Sequence, residues 1–252
     1  MYSFSLKYQT AENLPAPYAH AIEIIGEIAQ NQVDGIPSGS VLQLELSFEL
    51  TYLDREEFAE DELFDEGFTL NDNFSWKGTL PKTWSDVIFG NLKSANELII
   101  KSLEPHQEFW QLDFEGKSFY PKETEQFKYL IEELQQAVYE KSEKESPLKL
   151  IFLKNQSGEN VEVNISASFV ERKLSYNKIN FNELQNDTKT LDWEELNFIL
   201  KNTFSGEFEA DFAQKNRPSH KGIFVNTGDE LWYEVGKSLL IQPNKILKIM
   251  RM

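Results

Sequence analysis

The residues of this chain best equipped for chemistry crowd into one stretch. From Asp54 to Asp72 there are nine acids, Asp54, Glu56, Glu57, Glu60, Asp61, Glu62, Asp65, Glu66 and Asp72, against Arg55 alone, interleaved with Phe58, Leu63, Phe64 and Phe68. Carboxylates set around aromatic side chains suit the docking of a basic protein surface, where charge steers the encounter and aromatic burial supplies the affinity. The residues assigned to that contact are Glu56, Glu57, Phe58, Asp61, Glu62, Phe64 and Asp65. Carboxylates also ligate Ca²⁺, which takes about six to eight oxygens, but the Asp-x-Asp-x-Asp-Gly order of an EF-hand loop is missing and no metal is assigned. The plainer reading is a solvated charge run whose aromatics tuck into the local core.

Catalytic patterns are sparse. Three histidines, His20, His106 and His220, are all that imidazole chemistry has to work with. His220 sits in the polar run Arg217-Pro218-Ser219-His220-Lys221-Gly222, with Asp211 and Asp229 near in sequence. A general base also needs an orienting partner and a nucleophile, and neither a Gly-x-Ser-x-Gly elbow nor a His-Glu-x-x-His helix is present. Gly236-Lys237-Ser238 resembles the end of a phosphate-binding loop, but Leu231 stands where its first glycine is required. No catalytic residue and no cofactor are assigned, and an enzyme ranks behind a binding role.

Composition narrows the partners. The chain has 252 residues, no cysteine and a formal charge of −17. An acidic body opposes nucleic acid and anionic lipid, whose binding comes largely from phosphate neutralisation by Lys and Arg. The lack of cysteine removes disulfides, thiolate zinc sites and thiol nucleophiles, and fits a reducing compartment such as the cytoplasm. No apolar run nears the ~18 residues of a membrane span, and Met1 to Lys7 has no secretory pattern. The acids are unevenly spread: residues 1–108 carry 19 against 6 bases, residues 109–252 carry 23 against 19.

The elements that would position these residues read as a repeat at an offset of about 106 residues. Phe4, Leu6 and Tyr8 match Trp110, Leu112 and Phe114; Ala21, Ile24, Ile25 and Ile28 match Phe127, Leu130, Ile131 and Leu134. Leu42, Leu44 and Leu46 match Leu148, Leu150 and Phe152, and Trp84 with Phe89 matches Trp193 with Phe198 after a slip of three. Residues 3–8 alternate like a strand, while the i, i+3, i+4, i+7 spacing of Ala21, Ile24, Ile25 and Ile28 predicts a helix that ends in Asn31 to Gly39. Leu42 to Leu50 alternates as a strand, Phe74 and Trp76 begin another, and Thr83 with Asp86 caps a helix to about Lys101. In the second copy, strands at 109–114, 148–152 and 161–170 flank a helix from Pro121 to about Lys144, and a closing helix starts at Asp192.

The expected fold is therefore α+β: a tandem duplication of a β-α-β-(β)-α unit, antiparallel sheets with helices packed on one face, and a C-terminal β-rich extension. Expected boundaries are 1–105, 106–203 and 204–252, the last read as strands around Gly222–Val225, Leu231–Val235 and Leu239 onward. The expected function is an acidic cytoplasmic interaction or inhibitor protein, immunity-like in its electrostatics, that engages a basic partner through its N-terminal unit. A small-molecule module with a pocket between the units, walled by Lys101–Glu108 and Arg217–Lys221, is the alternative. A carboxylate-dependent hydrolase ranks last, and the sequence leaves the oligomeric state open.

Overall fold

Alternation of apolar and polar residues makes the first strand, β1 (Tyr2–Gln9), which buries Phe4 and Leu6 and turns Ser3 and Lys7 outward. The structure is a computed structural model that describes residues 2–15, 17–28, 44–98, 104 and 106–252. The chain divides into two units, Met1–Ser142 and Glu143–Met252.

Unit 1 continues with β2 (His20–Ile28), β3 (Leu44–Tyr52), a 3-10 turn at Arg55–Glu57, α1 (Glu60–Asp65), β4 (Phe74–Leu80), α2 (Lys82–Ser94), β5 (Glu97–Leu98), β6 (Phe109–Phe114), β7 (Lys117–Pro121) and α3 (Thr124–Lys141). Its strands form one antiparallel sheet in the order β4-β3-β2-β1-β6-β7-β5. Leu6 is the centre of the register, opposite Ile24 in β2 and Leu112 in β6. Rings tie the helices to this sheet: Phe89 of α2 lies 5.3 Å from Tyr2 and 6.1 Å from Phe114, and Tyr139 of α3 meets Phe74 edge-on at 5.0 Å.

The predicted first helix is β2 instead. Ile22, Ile24, Gly26 and Ile28 are buried while Ile25, counted into the helical face, is 47% exposed on the other side. β-Branched isoleucines favour the extended chain, and β1 and β3 supply ladders on both sides that an isolated helix would forgo. Gly26 is part of this fit, because a Cβ there would stand 2.6 Å from the Phe4 ring across the pair. The predicted helix end, Asn31 to Gly39, and Leu42 lie outside the described residues. In α2 the chain enters from Pro81 with no side-chain cap; Thr83 is exposed and Asp86 pairs with Lys82 at 2.6 Å, so the predicted capping box is not formed.

Unit 2 comprises β8 (Leu148–Gln156), β9 (Glu159–Ser168), β10 (Lys173–Asn180), β11 (Gln185–Leu191), α4 (Glu195–Thr203), β12 (Glu207–Phe208), β13 (Gly222–Asn226), β14 (Tyr233–Glu234), β15 (Leu239–Leu240) and α5 (Pro243–Ile249). Its antiparallel sheet runs β11-β10-β9-β8-β13-β14, and β12 pairs with β15. Leu196 and Ile199 of α4 and Ile246 and Ile249 of α5 share a core with Leu150, Phe152, Val163 and Tyr176. The tail is thus not all strand: Pro243 opens a helix whose Ile246 and Ile249, three apart, are both buried.

The 106-residue offset pairs β2 with α3, so the two copies do not share an order of elements in that register. Strand β6, expected to open the second copy, lies beside β1 in the first unit. What the sheets do share is a path: a four-strand meander, a helix, a strand returning beside the first, a further strand and a helix. That path is β1 to β4, α2, β6, β7 and α3 in unit 1, and β8 to β11, α4, β13, β14 and α5 in unit 2. No helix among the described residues is long and apolar enough to cross a membrane.

Candidate functional site

The acidic stretch is an arm between β3 and β4, built around its only base. Asp54 takes a left-handed φ of 56°, turning the chain out of β3, and Arg55 folds back beneath the arm at 2% exposure. Its guanidinium lies 3.6 Å from the Tyr52 ring centroid and 4.6 Å from that of Phe68. It donates to the Thr69 carbonyl at 2.6 Å, to the Pro17 carbonyl at 3.1 Å and to the Asp72 carboxylate. A charge removed from water needs such partners, and a planar guanidinium set against two aromatic rings supplies donors in a fixed fork.

Asp72 completes the anchor. It accepts the Thr69 amide at 2.8 Å and the Thr69 hydroxyl at 2.7 Å. Burial pushes its carboxyl up, but the Thr69 donors and Arg55 outweigh that and hold it below its ordinary value. The root is closed where the Tyr52 amide donates to Asn73 Oδ1 at 2.7 Å, and Tyr18 adds a hydrogen bond to Glu66 at 2.9 Å. Leu63, fully buried, seats α1.

The anchored arm turns most of the predicted docking residues outward. Glu56, Glu57, Asp61, Glu62 and Asp65 are exposed, Phe64 is 75% exposed, and Phe58 is half-buried. Asp54, Glu60 and Glu66 bring the exposed carboxylates of 54–66 to eight, and among the described residues none has a cation within ion-pairing distance. Glu60, Asp61 and Glu62 fall in the first turn of α1, where the peptide dipole favours anions, and Glu62 accepts the Ala59 amide at 3.3 Å. Part of the acidity therefore has a local structural use; Phe64 has none.

A second acidic feature was not foreseen. On the side of the unit 1 sheet that exposes Ile25, Glu23 stands directly opposite Glu49, and Glu27 opposite Glu45. Lys7 pairs with Glu23 at 2.8 Å, but no cation pairs with Glu27, Glu45 or Glu49 among the described residues. Only the register shows this, because it needs β2 to be a strand. Shallow depressions of about 250 Å³ lie along this face and at the arm's root, the latter lined by Gln9, Thr10, Glu12, Leu14, Asp54 and Glu57.

Elsewhere in unit 1 one polar cluster gathers around Glu108. Glu108 accepts Tyr8 Oη and Trp110 Nε1, each at 3.3 Å, and pairs with Lys128 at 2.7 Å. Burial first, and Glu108 second, push the Tyr8 phenol far above its ordinary value. His20, expected on a helix, lies between the Tyr8 and Tyr52 rings with Nδ1 2.8 Å from the Tyr18 carbonyl.

In unit 2, His220 meets Glu234, not Asp211 or Asp229, at 3.2 Å. Burial raises Glu234, but Lys237 and His220 bring it below the ordinary range. The same loop sends Arg217 to the 7%-exposed Glu162 at 2.5 Å, which also accepts Asn164 Nδ2 at 2.8 Å. Asn155 Nδ2 donates to the Pro218 carbonyl at 3.0 Å, so the loop's polar groups strap it across the sheet. Among the described residues no cluster of three His, Asp or Glu side chains could hold a metal ion.

Division at Ser142 sharpens the charge asymmetry. Unit 1 has 26 acids against 10 bases, net −16; unit 2 has 16 against 15, net −1. No known family, curated protein or solved structure matches the chain.

Proposed function

We propose that the chain is an interaction or inhibitor protein, acting in the cytoplasm, whose unit 1 grips a basic protein surface through the 54–72 arm. The observation that carries this reading is Phe64, 75% exposed among unpaired carboxylates on an arm pinned by a buried arginine. Scattered exposed apolar residues are ordinary, but a large aromatic set among single-sign charges on an anchored arm is the form of an interface anchor.

Comparison of the units supports it. Their shared path favours a tandem duplication in which β1 corresponds to β8 and the first residues, Tyr2 and Leu148, set the offset; the helices are read as covering one face of each sheet. In that correspondence the connection between β10 and β11 is residues 181–184, whereas β3 and β4 are joined by residues 53–73. The longer connection carries an element of its own, α1, and surface insertions mounted on a sheet are where binding residues are commonly carried. The arm and the charge are what unit 1 has and unit 2 lacks.

The test uses the full chain as bait, with captured proteins identified and their binding remeasured in purified form. A variant carrying Glu56→Lys, Glu57→Lys, Asp61→Lys and Glu62→Lys should lose basic partners, and Phe64→Ala should weaken binding by about 2 kcal/mol or more. If both variants melt like the wild type and capture every basic partner unchanged, the reading fails.

A further inference from the structure

We propose that β11 is a self-association edge, pairing antiparallel with β11 of a second copy to join two unit 2 sheets into one. The strand ends its sheet, pairs with β10 over seven consecutive residues without a bulge, and contains neither proline nor glycine. Residues Gln185 to Thr190 are all exposed. Natural sheets blunt such edges with prolines, bulges, short strands or charged side chains, because unpaired amides and carbonyls invite another strand, and of these devices β11 carries only the charges of Asp187 and Lys189.

The direction of the free groups follows from one hydrogen bond. The Phe181 amide donates to the Asn160 carbonyl of the β9 side at 2.9 Å. Backbone groups alternate along a strand, so the even residues of β10, Asn180, Lys178, Tyr176 and Leu174, face β11. Their register partners Gln185, Asp187, Lys189 and Leu191 face back. Asn186, Thr188 and Thr190 therefore aim both their amides and their carbonyls away from the sheet.

The side chains specify the occupant. In an antiparallel pair of two copies centred on Thr188, Asp187 of each strand falls opposite Lys189 of the other, and Asn186 opposite Thr190. Two opposite-charge pairs, related by the two-fold axis, form once Lys189 turns from the Met252 carbonyl it meets in the single chain, and the outward groups of 186, 188 and 190 meet in register. A one-residue slip in either direction breaks both charge pairs. Placement on unit 2 matters too: its net charge of −1 opposes approach far less than the −16 of unit 1.

Sedimentation and light scattering of the full chain over a concentration series test the proposal. A small interface of this kind should populate dimer between about 10 µM and 1 mM. Thr188→Pro removes an outward amide without touching the ladder to β10, a place where edge strands tolerate proline, and should leave a folded monomer. Asp187→Lys should weaken dimerisation about tenfold, and the swap Asp187→Lys with Lys189→Asp should restore it. Amide exchange at Asn186, Thr188 and Thr190 should slow as wild-type concentration rises. A wild type that stays monomeric to 1 mM overturns the proposal and leaves the edge to a strand of another protein. A dimer indifferent to Thr188→Pro or Asp187→Lys overturns it equally.

Discussion

The Arg55 guanidinium lies 3.6 Å from the Tyr52 ring centroid, so the one base of the acidic arm is spent on mounting it and not on neutralising it. Replacing Arg55 by Ala leaves the Thr69 and Pro17 carbonyls without this donor and the Asp72 carboxylate with Thr69 alone. The expected loss is about 2 to 4 kcal/mol. Lysine should recover only part of it, since a point charge neither stacks nor forks. Denaturant unfolding, with proteolysis to find cuts in 54–72, measures both.

The same anchor sets a pH dependence. Asp72 has a lowered folded-state pKa, so its contribution is fully present above the ordinary carboxylate value of 3.8 and is lost as pH falls through the lower folded value. Thermal melts of the wild type should therefore lose stability on acidification below about pH 4 more steeply than those of Asp72→Asn. Equal slopes would show that Asp72 contributes nothing through its charge.

Neighbours Leu63 and Phe64 should separate folding from binding. Leu63 is fully buried and Leu63→Ala should cost about 2 to 4 kcal/mol. Phe64→Ala should change stability by no more than about 0.5 kcal/mol, the range of an ordinary surface site. Binding should fall in the second variant while the melting temperature does not.

Glutamates facing each other across β2 and β3 offer a rare stabilising substitution. Glu45→Lys turns the Glu27–Glu45 contact from repulsive to attractive and should add about 0.2 to 1 kcal/mol. Raising salt should stabilise the wild type more than the variant, because screening removes repulsion in one and attraction in the other.

In unit 2, Arg217→Ala strands the Glu162 carboxylate with only the Asn164 amide and should cost about 1 to 3 kcal/mol. Combining it with Glu162→Gln should return most of that loss in chemical denaturation, since the uncompensated charge is gone.

How much of this could be read in the sequence depended on burial. The strands read at 109–114 and 148–152 form as β6 and the first part of β8, and the helix read from Pro121 to about Lys144 forms over Thr124–Lys141, because their apolar residues recur with the period of a buried face. Ile22, Ile24, Ile25 and Ile28 satisfy both periods over a short run, and only pairing with β1 and β3 decides between them. Strand β11 left no apolar signature, since every residue but Leu191 faces water. The acids and Phe64 of the arm were visible as types; Arg55 as the keystone was not, because a buried cation among nine acids looks like one more surface charge.

Fastening the arm through one buried guanidinium makes its order a cooperative unit distinct from the sheet beneath. Opening it would release the Arg55, Asp72 and Tyr18 contacts together while the β3–β4 register from Leu50–Phe74 onward stays closed. The chain can thus carry two opening free energies, a lower one for the arm and a higher one for the fold. Any ligand that holds Phe64 would draw on the first without taxing the second.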